Sequence, residues 1–192
     1  MQAAQNDLII WKQMISGDEK SLGKLMHLYY TALLGYGYKF VKNDDFLKDC
    51  IQDLFIDIWN KRARLAIPDS IKAYLFVSLK RRIERNISRE PYTEELADRL
   101  FPHVEFSPEW WLIREESVAL KTRNMADLLN SLPKRQREVV YLKYYEEMSR
   151  EEISMVLSIT PQTVSNLLQL AYAYLRKHWK TSAIGLLLLL LS

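Results

Sequence analysis

The stretch SREEISMVLSITPQTVSNLL, residues 149–168, decides how the chain is read. Ser149 is a favoured N-cap residue, and Glu152 three positions on completes a capping box, in which each side chain satisfies the other's backbone N–H. Ile153, Val156 and Leu157 recur at helical spacing and form one apolar face of a short helix. Ile159 is a single apolar residue in the turn that follows. Thr160 is a second N-cap, and Pro161 takes the first helical position, where a missing N–H costs nothing. Val164, Leu167, Leu168, Ala171 and Leu175 make the inward face of the next helix. A short helix, a tight turn holding one apolar side chain and a second helix form a helix-turn-helix. The first helix braces the second and leaves its N-terminal outer face free for a DNA major groove. That face carries Thr160, Gln162, Thr163, Ser165, Asn166 and Gln169, uncharged polar groups able to reach base edges or phosphates. A plain helical hairpin has the same apolar spacing, so the motif alone leaves both readings open.

Outward from this motif the helical pattern continues. In SLPKRQREVVYLKYYEEM, residues 131–148, Pro133 can open a helix whose apolar face is Val139, Val140 and Leu142. Across all 192 residues there are only 5 glycines and 6 prolines, which leave long uninterrupted runs suited to helices. An all-α fold is expected. An all-β fold and a Gly-rich phosphate loop are excluded. The single cysteine, Cys50, rules out an intramolecular disulfide and a multi-cysteine zinc site and fits a reducing, cytoplasmic compartment. His27, His103 and His178 are far apart with no ligand spacing, and no nucleophile, base and orienting group cluster. No enzyme activity, metal or cofactor is implied. The N-terminus MQAAQNDLIIWKQM has neither a basic segment nor a long apolar one, so no signal peptide is expected.

The net charge of +3 conceals a segregated layout. Between Asn60 and Arg89 nine basic residues meet two acidic ones, and between Glu90 and Glu116 eight acidic residues meet two basic ones. Thr160 to Lys180 holds three basic residues, Arg176, Lys177 and Lys180, and no acid. Two basic blocks suggest two contacts with a polyanion, although solvated faces carry such charge as well. The acidic stretch contains Pro91, Pro102 and Pro108 without a helical period, so it is expected to link two small helical domains. The expected division is 1–90, a linker at 91–117, the helix-turn-helix domain at 118–180 and an apolar tail at 181–192. The run Ala183 to Leu191 has no polar side chain, but a spanning helix needs about 20 such residues. Packing within the chain or capture by a partner suits it better than lipid, because no basic amphipathic face accompanies it. It is expected to bear on solubility or regulation rather than on DNA sequence choice.

The run LPKRQREVVYLKYYEEMSREEISMVLSITPQTVSNLL resembles the C-terminal domain, region 4, of bacterial extracytoplasmic-function (ECF) sigma factors of the sigma-70 family. The upstream half agrees. SGDEKSLGKLMHLYY, residues 16–30, is similar to the opening Gly-Asp-x-x-Ala-Phe segment of that family. KDCIQDLFIDIW, residues 48–59, is similar to its polymerase-docking helix, with Asp49, Gln52, Asp53, Phe55 and Trp59 matching. IPDSIKAYLFVSLKRRIERNI, residues 67–87, is similar to the part that melts and reads the −10 promoter element. The resemblance runs from about Asp7 to Trp179 and rests on the ordered set of motifs.

The resemblance implies a factor that binds core RNA polymerase, directs it to promoter DNA and is held by an anti-sigma factor, often membrane-embedded in this family. For the −35 element it implies Arg150, Thr160, Gln162, Thr163, Ser165, Asn166, Gln169, Arg176 and Lys177. For the −10 element it implies Lys61, Arg62, Leu65, Lys72, Lys80, Arg81 and Arg85, the loop near Lys61–Leu65 cradling a flipped base and the helix gripping the strand. For polymerase it implies Asp49, Gln52, Asp53, Phe55, Asp57 and Trp59. The residues are compatible with this. Asp49, Asp53 and Asp57 recur every fourth position beside an apolar stripe of Ile51, Leu54, Phe55 and Ile58, although an ordinary amphipathic surface helix has the same pattern. Tyr74 and Phe76 interleave with Lys72, Lys80, Arg81, Arg82 and Arg85, as strand opening requires, although at least one of the two rings is expected in the core. The acidic linker either mimics nucleic acid in a basic polymerase channel or is a solvated tether. Two features depart from the family pattern. The second helix has no basic residue before Arg176, which leaves phosphate gripping to Lys134, Arg135, Arg150, Arg176, Lys177 and the helix N-terminus. The turn has Ser158 where glycine is common, and serine fits only if that residue needs no positive φ. A free-standing helix-turn-helix transcriptional regulator is the alternative, and a helical adaptor docking through its leucine tail is a rival of another class.

Overall fold

The computed structural model describes residues 2–88 and 125–178. The linker expected at 91–117 and the tail at 181–192 lie outside the described residues. The helices fall into two compact units, with α1–α4 in the first. No strand occurs among the described residues.

The first unit is built from α1 (Gln2–Ile15), α2 (Glu19–Gly37), α3 (Asp44–Lys61) and α4 (Ile71–Ile87), with a single 3-10 turn at Arg62–Arg64. The Gly-Asp pair noted in the sequence is the junction between α1 and α2. Gly17 takes φ 99°, the left-handed conformation that ends a helix at little cost only for glycine. Its N–H donates to the Met14 carbonyl at 3.0 Å, and the Asp18 N–H donates to that of Gln13 at 3.1 Å, which closes the last turn of α1. Asp18 then caps α2, its carboxylate accepting from the Lys20 N–H and from Ser21 Oγ, the latter at 2.6 Å. These hydrogen bonds, that from Ser21 foremost, hold the Asp18 carboxyl below its ordinary value of 3.8. Asn43 caps α3 through the Phe46 N–H, and Ser70 caps α4 through the Ala73 N–H, both at 3.1 Å.

α2 is the central helix and packs on α1, α3 and α4. Its Leu25, Leu33 and Tyr36 are fully buried with Trp11, Leu47, Ile51, Phe76 and Leu79. The Tyr36 ring lies 5.0 Å from Phe76 and meets Phe40 edge-on at 5.2 Å, so aromatic contacts tie α2 to α4. Tyr74, half-buried, meets Trp11 edge-on at 5.3 Å.

Further along the chain a helical stretch at 125–130 precedes α5 (Lys134–Tyr144), α6 (Arg150–Leu157) and α7 (Pro161–His178), of which α5 and α7 belong to the second unit. Pro133 stands one position outside α5, at its N-cap, with ψ 143°. The expected face of α5, Val139, Val140 and Leu142, is buried, and so are Glu138 and Tyr141. The Tyr141 hydroxyl donates to Glu146 Oε1 at 3.0 Å, and burial, reinforced by that carboxylate, pushes its ionisation well up. α5 packs against α7, and the Tyr144 and Tyr172 hydroxyls meet at 2.7 Å across that contact.

Candidate nucleic-acid interface

The α6–α7 segment carries the local geometry that its sequence predicts. Ser149 Oγ accepts from the Glu152 N–H at 3.1 Å, while Glu152 Oε2 accepts from the Ser149 N–H at 2.7 Å, so the capping box is complete. Thr160 Oγ1 accepts from the Thr163 N–H at 3.2 Å, and Pro161 opens α7. Val164, Ala171 and Leu175 are buried, as are Ile153, Val156 and Leu157, whereas Leu167, Leu168 and Ile159 are half-buried. The condition set for serine in the turn is not met. Ser158 adopts φ 54°, so this position does need the left-handed backbone that glycine supplies without a Cβ penalty.

The outer face of α7 presents Thr160, Gln162, Thr163, Asn166 and Gln169 to solvent, with Ser165 half-buried and bonded to the Pro161 carbonyl at 3.2 Å. Gln162 Nε2 donates to Asn166 Oδ1 at 3.1 Å, which pre-orients the two amides one turn apart. The pair leaves an amide donor on Asn166 and an acceptor on Gln162, the complement of a base edge. No acidic residue occupies the first turn of α7, so its N-terminal N–H groups stay electropositive. Arg176 and Lys177 lie exposed in the last turn, a little over four turns from that end. Arg150, at the start of α6, is bonded to Glu151 at 3.0 Å. The described cations therefore flank the polar face instead of lining it.

In the first unit Lys61, Arg81 and Arg85 line one groove between α3 and α4. Arg62, Leu65, Lys72 and Lys80 do not line it. Arg62 stacks over the Trp59 ring at 4.1 Å and donates to the Trp59 carbonyl at 2.8 Å, which fixes both side chains where α3 ends. Leu65 is half-buried just past the 3-10 turn, and Lys72 sits 5.8 Å over the Phe76 ring. Phe76 is fully buried, so of the two interleaved aromatics only Tyr74 retains exposure.

The acidic stripe on α3 divides on inspection. Asp49, Gln52 and Asp53 are exposed, Asp57 and Trp59 half-buried. Phe55, at 3% exposure, lies in the core with Ile51, Leu54 and Ile58. Ile56, 46% exposed, is the apolar residue that lies on the outer face, one turn past Gln52. Arg82, grouped in the sequence with the bases suited to strand opening, is tied up within the unit instead. Its Nη1 lies 3.2 Å from Asp53 and its Nη2 bonds Asp57, so one guanidinium from α4 holds two carboxylates of the stripe. Opposite charge at matching one-turn spacing was the available signal, but it does not say which cation faces which helix. Among the described residues no three ligand-type side chains gather as a metal site, and no helix is long and apolar enough to cross a membrane.

Comparison with known proteins bears on both units. Residues 25–90 match the family model for sigma-70 region 2, and residues 122–175 match that for sigma-70 region 4. No curated protein matches the chain. Among solved structures, CnrH in complex with the cytosolic domain of CnrY is 22% identical with a TM-score of 0.58, covering 89% of this chain and 95% of that one. The sigma factor RpoE in complex with the anti-sigma factor NepR, from Bartonella quintana, is 19% identical with a TM-score of 0.55, covering 82% of this chain and 96% of that one. At these identities the likeness concerns the fold.

Proposed function

The chain belongs to the sigma-70 family, and from that premise we propose that it is a transcription initiation factor of the ECF type, which binds core RNA polymerase and directs it to promoters through −10 and −35 contacts. The observation that carries this reading is the pairing, in one chain, of a region 2 helical unit with a capped helix-turn-helix of region 4. A free-standing helix-turn-helix regulator leaves α1–α4 without a use.

The roles divide by unit. The domains are 1–90 for polymerase and the −10 element and 118–180 for the −35 element, joined by the acidic segment. On α3, Asp49, Gln52 and Asp53 face a basic polymerase surface, with Ile56 as an apolar anchor. On α4 and the turn before it, cations hold phosphates while the loop after Lys61 receives an unstacked base. On α7, Gln162, Thr163 and Asn166 read base edges, with the helix N-terminus and the flanking Arg150, Arg176 and Lys177 on phosphates. The factor is not itself an enzyme and works in the cytoplasm, where the polymerase is. RpoE and CnrH each stand in complex with a protein partner, an anti-sigma factor in the case of RpoE. By that likeness an anti-sigma partner restrains this chain too.

In vitro transcription with core polymerase and a promoter library tests the reading. Discrete transcripts that require both the chain and particular upstream sequences are expected. Transcripts no different from those of core polymerase alone, with no co-purification with it, would overturn it.

A further inference from the structure

Arg82 stands on α4 but spends its charge on α3. Its Nη1 bonds Asp53 Oδ2 at 3.2 Å and its Nη2 bonds Asp57 Oδ2. The two acids lie one turn apart on one face of α3, and a planar guanidinium fork can meet both at once where an ammonium group cannot. The Arg82 side chain is only 14% exposed, so its charge is largely out of water and depends on both carboxylates. The two acids are not equivalent. Asp57 is also met by Lys61 Nζ at 3.8 Å, from its own helix. Asp53 has no cation but Arg82 among the described residues, and its side chain remains 57% exposed. One of its oxygens is therefore fixed while the carboxylate stays open to a partner. Asp49, one turn back and exposed, forms no ion pair among the described residues.

We propose that Arg82 is a positioning residue for polymerase docking, which fixes the Asp53 carboxylate in the orientation that a basic group of the polymerase meets. Asp49 acts beside it without such help. A surface side chain that is immobilised on binding loses rotamer freedom, whereas one already held by its own protein has little left to lose. Arg82 also offsets part of the negative charge of the stripe. By charge alone its removal strengthens attraction to a basic surface, whereas by positioning its removal weakens docking. The two effects have opposite sign. This role rests on the reading of α3 as the polymerase-docking helix.

The affinity of the full chain for core polymerase tests this through two double-mutant cycles. The variants are Arg82→Gln, Asp53→Asn and Asp49→Asn, with Arg82→Gln combined with each acid variant in turn. Arg82→Gln is expected to weaken binding about tenfold, and Asp53→Asn about as much. Their combination should be no weaker than either alone, because the arginine acts through Asp53. Asp49→Asn also weakens binding, and its loss should add in full to that of Arg82→Gln. If Arg82→Gln does not fold, Arg82→Lys, which keeps the charge without the fork, takes its place in both cycles. An Arg82 variant that binds as tightly as wild type, or more tightly, overturns the proposal, because bulk charge then governs. A loss that adds to those of Asp53→Asn and Asp49→Asn alike also overturns it, because the arginine then acts through the fold at large. Both outcomes leave α3 as the docking helix. Wild type with no affinity for core polymerase removes that reading of α3, and the role of Arg82 with it.

Discussion

Ser158 holds φ 54° between α6 and α7. A side chain in that region costs about 1 kcal/mol of backbone strain, and glycine removes it at some cost in unfolded-state entropy. Ser158→Gly is therefore expected to stabilise the protein by about 0.5 kcal/mol, read as a higher thermal unfolding midpoint. A lower midpoint would mean that the serine hydroxyl contributes more than its backbone costs. Asp18 makes a pH-dependent prediction. Its folded carboxyl titrates below 3.8, so its ionised form stabilises α2 above the unfolded value, and that contribution is lost as pH falls through the folded value. Asp18→Asn keeps the cap geometry without the charge. Wild type should exceed it in stability at neutral pH, and the gap should close below about pH 4. A gap that stays constant through that range would rule the carboxylate out as its source. At this scale the caps were legible, because Ser149 with Glu152 and Thr160 with Pro161 act within four residues of chain. The sign of φ at Ser158 was not, because serine does not require it and the turn imposes it.

Helix α6 is only eight residues long, too short to persist without its caps or its packing. The reciprocal Ser149 and Glu152 bonds satisfy N–H groups that would otherwise face solvent unpaired. Ser149→Ala should cost about 1 kcal/mol and loosen the brace under α7, seen as faster amide exchange across residues 150–157. Unchanged exchange there would show that burial of Ile153, Val156 and Leu157 holds the helix alone. On α3 the element-scale lesson runs the other way. The period of its apolar and acidic residues was plain in the sequence, yet Phe55 and Ile56 are neighbours with opposite fates. The width of the buried arc decides which is core, and that depends on how α2 and α4 flank α3.

Across the chain, charge is distributed so that the basic surface of α4 and the polar face of α7 lie in separate units. Gln162→Ala with Asn166→Ala is expected to lower transcription from promoters that depend on the −35 element about tenfold. Affinity for core polymerase should not change, since α3 is untouched. Equal loss at promoters lacking that element would show that α7 does not read sequence. What the sequence by itself determined is local: helix-only composition, apolar periods, caps and the order of two family regions. Each depends on residues within a turn or two of one another. Tertiary structure alone decided that Arg82 serves Asp53 and Asp57, 29 and 25 residues away, and that Lys61 lines the same groove as Arg81 and Arg85. Such pairings follow from the rotation of one packed helix against another, a property of side-chain volumes in the shared core that no periodicity along a single helix encodes.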